Sequence, residues 1–283
     1  MSSLGSARLV YGTMLGSLFL FLVPSLLSLG LPSSLPASPE THTLLSSDAL
    51  RAPASFDTLH TVSRHVFQHT NRIRRERSLS TLRYDSTLAR VACAHNADMM
   101  RRDFFRHVNP DGENPHDRVS RIHRRLYGQI GENLFGQSPV RKKGKALATQ
   151  MMEHWMNSPP HRKNIIRPQF THLGVCVLQQ PDTLRATQVF ADVSVYLSSP
   201  LPRRVSAGDV ISVSIGPTFP SDALPVRYDF WSTEGNRRIS TPYVFTDALR
   251  FPDTTGTVWS RLYVLEMGRY SVQRGPEVMI TSP

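Results

Sequence analysis

Cysteine is nearly absent from this chain: Cys93 and Cys176 are the only two in 283 residues. Two cysteines cannot build a disulfide scaffold, and their separation excludes a CxxC redox or zinc motif, leaving at most one bridge. Lysine is almost as scarce, with four (Lys142, Lys143, Lys145, Lys163) among 33 basic residues. The formal charge of +11 is therefore carried by guanidinium groups, which stay protonated at any biological pH. Charged residues reach only 19% beside 40% apolar, a balance that excludes a largely disordered chain or a collagen-like repeat. No Walker loop and no GxSxG elbow occurs, which disfavours phosphoryl transfer and α/β-hydrolase chemistry. Beyond residue 31 there is no long hydrophobic run, which excludes a polytopic membrane protein.

What is present divides into four parts. Residues 9–31 form one apolar stretch, preceded by Arg8, interrupted by Pro24 and followed by a small, proline-rich segment. It reads as an export signal ending near residue 37, with an uncleaved anchor as the rival, since about 20 apolar residues also span a bilayer. Residues 38–55 are polar and rich in Ser, Pro and Thr, the composition of a linker. Residues 56–197 and 198–283 then form two folded parts, with a cut in the proline-containing stretch 198–204.

In the first folded part the apolar spacing is helical from 56 to 103. At 100° per residue Leu88, Val91, Ala92, His95 and Met99 share one stripe. A second helix is expected over about 145–157, with Leu147, Met151, Met152 and Trp155 inward and Ser158, Pro159 and Pro160 ending it. Turn residues such as Asn109, Pro110, Asp111 and Gly112 separate the two, and strands are expected over 172–178 and 187–196. In the second part 209–215, 226–231, 242–245, 257–265 and 270–273 are strand-like. The fold class is thus α/β followed by a small all-β sandwich.

Several separated motifs carry a further signal. Asn71 and Arg74 are followed by His95 and the triplet Ala97, Asp98, Met99. Then come His107, Arg118, the triplet Gly131, Glu132, Asn133, the run from Trp155 through Pro159, Pro160, His161, Arg162, Lys163 and Asn164, and finally Phe170 to Val175. In order and spacing this resembles the CAP superfamily, also called SCP-like, in its bacterial branch, over roughly 56–196. The resemblance implies an α-β-α sandwich and a cleft lined by two histidines and two acids. It assigns His107 and His161 as the histidines and Glu132 as the first acid. The second acid would fall on Ser158, so the set is His-His-Glu. Glu153 projects about 150° from the apolar face of its helix, whereas Ser158 lies about 70° away if the helix persists, so Ser158 takes the ligand-facing place.

Two imidazoles and a carboxylate are the ligand types of an open zinc site, with His107 and His161 as metal ligands. The same groups could serve a hydrolase acting on peptide or cell-wall substrates, with Glu132 as general base. The resemblance also implies a lipid or sterol-like ligand, and a non-enzymatic binding cleft is the leading expectation because the second acid is missing. The rivals are that hydrolase and an envelope protein acting through its arginine surface.

Other candidates have bland readings. His65 and His69 have helical spacing, but Val66 stands where a zincin needs Glu. His95 lies in an apolar stripe and reads as a packed core histidine, while His172 sits just before a strand and either rims the cleft or faces solvent. In an oxidising compartment a Cys93–Cys176 bridge would be worth about 4 kcal/mol in the chain-entropy model, with two separately buried thiols fitting the sequence nearly as well. The basic runs around Arg72 to Arg77, Arg101 to Arg106, Arg121 to Arg125 and Arg141 to Lys145 lack any nucleic-acid reading element, so no nucleic acid is expected. An anionic envelope polymer or membrane surface is the partner they fit, beside the default of a solvated face.

Overall fold

The computed structural model describes residues 57–216, 223–266 and 268–283. The export segment and linker expected over 1–55 lie outside them. Among the described residues no helix is long and apolar enough to cross a membrane.

The chain enters through β1 (Asp57–Thr58) and α1 (His60–Arg75), then β2 (Arg83–Tyr84) and α2 (Ser86–Arg101). The start of α2 is fixed by Asp85, whose carboxylate accepts from the backbone N–H groups of Thr87 and Leu88. The expected stripe is observed: Leu88, Val91, Ala92, His95 and Met99 are all buried. Each large apolar side chain among them contributes roughly 1.5–3 kcal/mol. A capping box of Asn114 and Asp117, with Pro115 in the first turn, starts α3 (Pro115–Ile122).

The long strand β3 (Leu126–Gln137) follows, then α4 (Gly144–Asn157), α5 (Pro159–Ile165), β4 (His172–Gln179) and β5 (Leu184–Tyr196). The prolines after Ser158 do end α4, as expected, but they also open α5, because a ring that fixes φ and lacks an N–H suits a first helical turn. Ser158 is extended (φ −99°, ψ 114°), so the helix does not persist to it and the wheel projection that favoured it has no basis.

β4, β5 and β3 are antiparallel neighbours. On one face α1 and α4 bury Val66, Met151, Met152 and Trp155 against Val175, Val177 and Phe190. On the other, α2 and α3 bury Leu88, Val91, Val119 and Ile122 against Cys176, Leu178 and Val189. This is the expected helix-sheet-helix layering. Gly174 makes it possible: a Cβ there would stand 2.1 Å from the Ala89 nitrogen, so α2 could not lie against the sheet. Cys93 of α2 and Cys176 of β4 are joined by a disulfide with a Cα separation of 5.1 Å.

The C-terminal part comprises β6 (Arg204–Ser206), β7 (Val210–Ser212), β8 (Leu224–Ser232), β9 (Tyr243–Val244), β10 (Ala248–Arg250), β11 (Gly256–Glu266) and β12 (Arg269–Thr281). It has its own apolar core, built around Phe230, Phe251, Leu262 and Val264. Its main sheet is not detached, however. Arg274 of β12 pairs with Gly128 of β3, so one sheet runs β1-β4-β5-β3-β12-β11-β8-β9, with a separate β7-β10 pair. The stretch 198–204 is likewise no loose connection: Leu201 is buried in the C-terminal core and its N–H donates to the Arg124 carbonyl.

The arginine surplus is partly internal. Arg74 is fully buried and donates to the carbonyls of Ser80, Ile165, Arg167 and Phe170, tying the end of α1 to the turn before β4. Arg124 donates to the carbonyls of Leu201, Pro202 and Glu277 across the two parts, and burial lowers its pKa to about 10. These two members of the basic runs are structural cross-links rather than surface charge.

Candidate functional site

Glu132 sits mid-strand in β3, flanked by Gly131, where a Cβ would stand 2.6 Å from the Phe170 ring. Glycine therefore lets Phe170 and α5 close over the strand, which positions the next residue. The Glu132 carboxylate is buried and both its oxygens are engaged. Oε1 accepts from His107 Nδ1 at 2.8 Å, and Oε2 accepts from Arg118 Nη2 at 2.9 Å. His95 Nε2 lies 3.9 Å from Oε1. Burial pushes the Glu132 pKa up, but the His107 bond and the charges of Arg118 and His95 outweigh it and hold the carboxyl below its ordinary value.

His107 comes from the loop between α2 and α3, and its side chain is about half exposed (48%). Because a carboxylate only accepts, Nδ1 carries the shared proton and Nε2 is the nitrogen left for the cleft. The loop is itself braced: Asn109 and Arg121 hold Glu113, and Arg118 Nη1 donates to the Glu113 carbonyl. His95 is a core histidine as expected. Its Nε2 donates to the Arg106 carbonyl at 3.1 Å, and burial lowers its pKa to about 4.

His161 lies on α5, half-buried, with its ring 6.3 Å from that of His154. Burial first, and then the charges of His154 and His107, lower its pKa, so the two predicted histidines share one electrostatic neighbourhood. A polar relay seats α5 on β3. Asn133 Nδ2 donates to the His161 carbonyl, and Asn164 Nδ2 donates to the Glu132 carbonyl and to Asn133 Oδ1. Ser158 is half-buried at the junction of α4 and α5 and its side chain makes no capping bond to either helix. His172 is buried beside Tyr196, at a ring distance of 5.9 Å, and so does not face solvent.

Of the four ligand-facing residues read from the sequence, His107 and Glu132 are directly bonded and His161 stands near them. Arg118 is the member that reasoning missed as a site residue. It is buried, it occupies Glu132 Oε2, and it was visible only as one more motif position.

The donor set does not fit a three-ligand zinc centre. Glu132 is committed to a guanidinium and an imidazole, which leaves His107 and His161, where an open site uses three protein ligands. Among the described residues no group of three His, Cys, Asp or Glu side chains is placed to hold a metal ion.

Comparison with known proteins follows the same outline. Residues 67–190 match the family model described as the cysteine-rich secretory protein family, CAP. The chain is 33% identical over 137 residues to the uncharacterized protein YkwD of Bacillus subtilis, covering 45% of this chain and 50% of that one. It is 32% identical over 120 residues to the uncharacterized membrane protein YlbC of the same organism, covering 41% and 32%. Among solved structures, an extracellular protein containing a SCP domain from Bacillus anthracis aligns at 32% identity with a TM-score of 0.38, covering 46% of this chain and 40% of that chain. The chain thus spans half or less of each of these relatives. Over residues 67–190 the chain is similar to the cysteine-rich secretory protein (CAP) family, whose model it matches there.

Proposed function

We propose that the CAP-like part of this chain is a non-enzymatic ligand-binding module of an exported protein. His107 is its polar anchor, Glu132 and Arg118 are the fixed floor beneath it, and His161 and Ser158 stand at the neighbouring helix start. The observation that carries this reading is the state of Glu132. A general base must be reachable by the proton it takes and have a pKa near the working pH, whereas the Glu132 side chain is buried. Glu132 has both oxygens bonded and a depressed pKa, so it orients His107 instead of accepting a proton. Export is supported by the apolar segment 9–31 and by the Cys93–Cys176 bridge, which persists in oxidising compartments.

A second reading is favoured by one detail. A carboxylate holding Nδ1 while Nε2 faces outward is the arrangement that supports metal-binding histidines. In that reading His107 and His161 would hold a divalent ion, with the remaining positions filled by water or by the ligand. Zinc titration by calorimetry of the wild type beside a His107→Ala/His161→Ala double variant decides it. Equal uptake by both removes the metal, and uptake lost in the double variant supports it. Hydrolysis of a peptide library by the wild type that disappears in Glu132→Gln would sink the non-enzymatic reading.

A further inference from the structure

One cavity has none of His107, Glu132 and His161 among its described lining residues. It opens at the sheet edge where α1 and α2, from opposite faces, meet around β4, and it encloses about 540 Å3. That volume falls within the roughly 300–1,000 Å3 of small-molecule sites. Its inner wall is apolar: Phe67, Val175 and the Cys93–Cys176 bridge line it. Phe67 and Tyr84 pack edge to face at 5.4 Å and form one side of the mouth, where Tyr84 is 55% exposed.

The polar groups are not distributed at random around this wall. Two guanidinium groups, Arg64 from α1 and Arg90 from α2, line the cavity from opposite helices and are exposed, and no carboxylate is among the described lining residues. An inorganic anion would leave the apolar volume unfilled. A neutral apolar molecule would gain nothing from the two cations. A ligand with an apolar body and an anionic head satisfies both features.

We infer that this edge cavity is a second binding site, distinct from the histidine cleft, for an organic anion whose apolar body lies against Phe67, Val175 and the disulfide while its head is held between Arg64 and Arg90. The disulfide then has a second role beside cross-linking, since it fixes the cavity wall by joining the α2 side to the β4 side.

The test is calorimetric titration of the full chain with decyl phosphate below its micelle concentration, beside decanol and inorganic phosphate. Decyl phosphate should bind at least about tenfold more tightly than either comparator, a difference of about 1.4 kcal/mol. The charge reversal Arg64→Glu/Arg90→Glu, at exposed positions, should erase that preference. Ser86→Trp, at an exposed lining position, should weaken binding of decyl phosphate and decanol alike by obstructing the mouth. His107→Ala should change nothing, which keeps this result separate from the fate of the histidine cleft. The inference is overturned if decyl phosphate does not bind, if the double arginine variant, still folded by circular dichroism, binds it as the wild type does, or if His107→Ala abolishes binding.

Discussion

At the scale of single residues, the decisive object is a carboxylate with no free oxygen. Glu132 is buried between His107 and Arg118, and removing one partner leaves the other side of an ion pair uncompensated. Arg118→Met should therefore destabilise the protein by roughly 3–5 kcal/mol, read as a lower urea midpoint. Glu132→Gln should cost less, because an amide still bonds His107, but it should change the His107 ring resonances seen by NMR. Arg118 also shows why part of the site escaped the sequence. Periodicity and composition treat an arginine as surface, and nothing local to residue 118 says that its partner lies 14 positions ahead on a strand. His95 was readable as a core residue because it sits in an apolar stripe, yet its 3.9 Å approach to Glu132 depends on how α2 lies against the sheet. Ser158 was chosen on a helical wheel, and the helix stops one residue short of it.

At the scale of elements, α2 and α4 were legible because their apolar residues recur with a helical period and a cap or prolines mark an end, and β4 and β5 because they are short runs rich in apolar and β-branched residues. β3 was not, because Gly128, Gly131 and Gly136 interrupt it, and glycine weakens a strand pattern while marking a close approach. The glycines answer to tertiary neighbours: Phe170 and Asn164 over Gly131, the Asp192 carbonyl beside Gly128. Gly174→Ala tests the same logic on β4. Its new methyl meets backbone atoms of Ala89 and Leu88 that cannot swing aside, so the variant should lose about 3 kcal/mol or more, or fail to accumulate as folded protein. Replacing both cysteines by alanine should cost about 4 kcal/mol by releasing a loop whose ends are 83 residues apart, seen as a lower denaturation midpoint in non-reducing buffer.

At the scale of the whole molecule, buried histidines make stability depend on pH. Burial lowers the pKa of His95, His116 and His172 from 6.5 to about 4. Between those values the unfolded chain binds protons that the folded one refuses, so folding loses free energy as pH falls from about 6.5 to about 4. Asp85 adds to the loss at the acid end. Its burial raises its pKa, but bonds with His123 and Tyr196 hold it well below the carboxylate range, so its stabilisation disappears as it is protonated. Asp192 opposes them: burial raises its pKa to about 6, so it favours the folded state as pH falls from about 6. Three histidines outnumber Asp192 and Glu277, whose pKa burial also raises, and the thermal midpoint should drop steadily from pH 7 to pH 4.5 in scanning calorimetry. A flat profile would show that these histidines are hydrated in the folded protein. The two parts carry distinct apolar cores but share one sheet, and that sharing could not be read from the sequence because a pairing such as Gly128 with Arg274 leaves no trace in either segment alone.

The bridge between Cys93 and Cys176 also imposes an order in time. A chain emerging from its N-terminus presents Cys93 well before Cys176, with α3, β3, α4 and α5 to follow in between. During that interval Cys93 is an unpaired thiol on α2, open to capture by any oxidant or stray thiol it meets. Correct oxidation must wait for β4 to arrive against α2, so mispaired dimers linked through Cys93 should be the characteristic by-product when synthesis is slowed between these two residues.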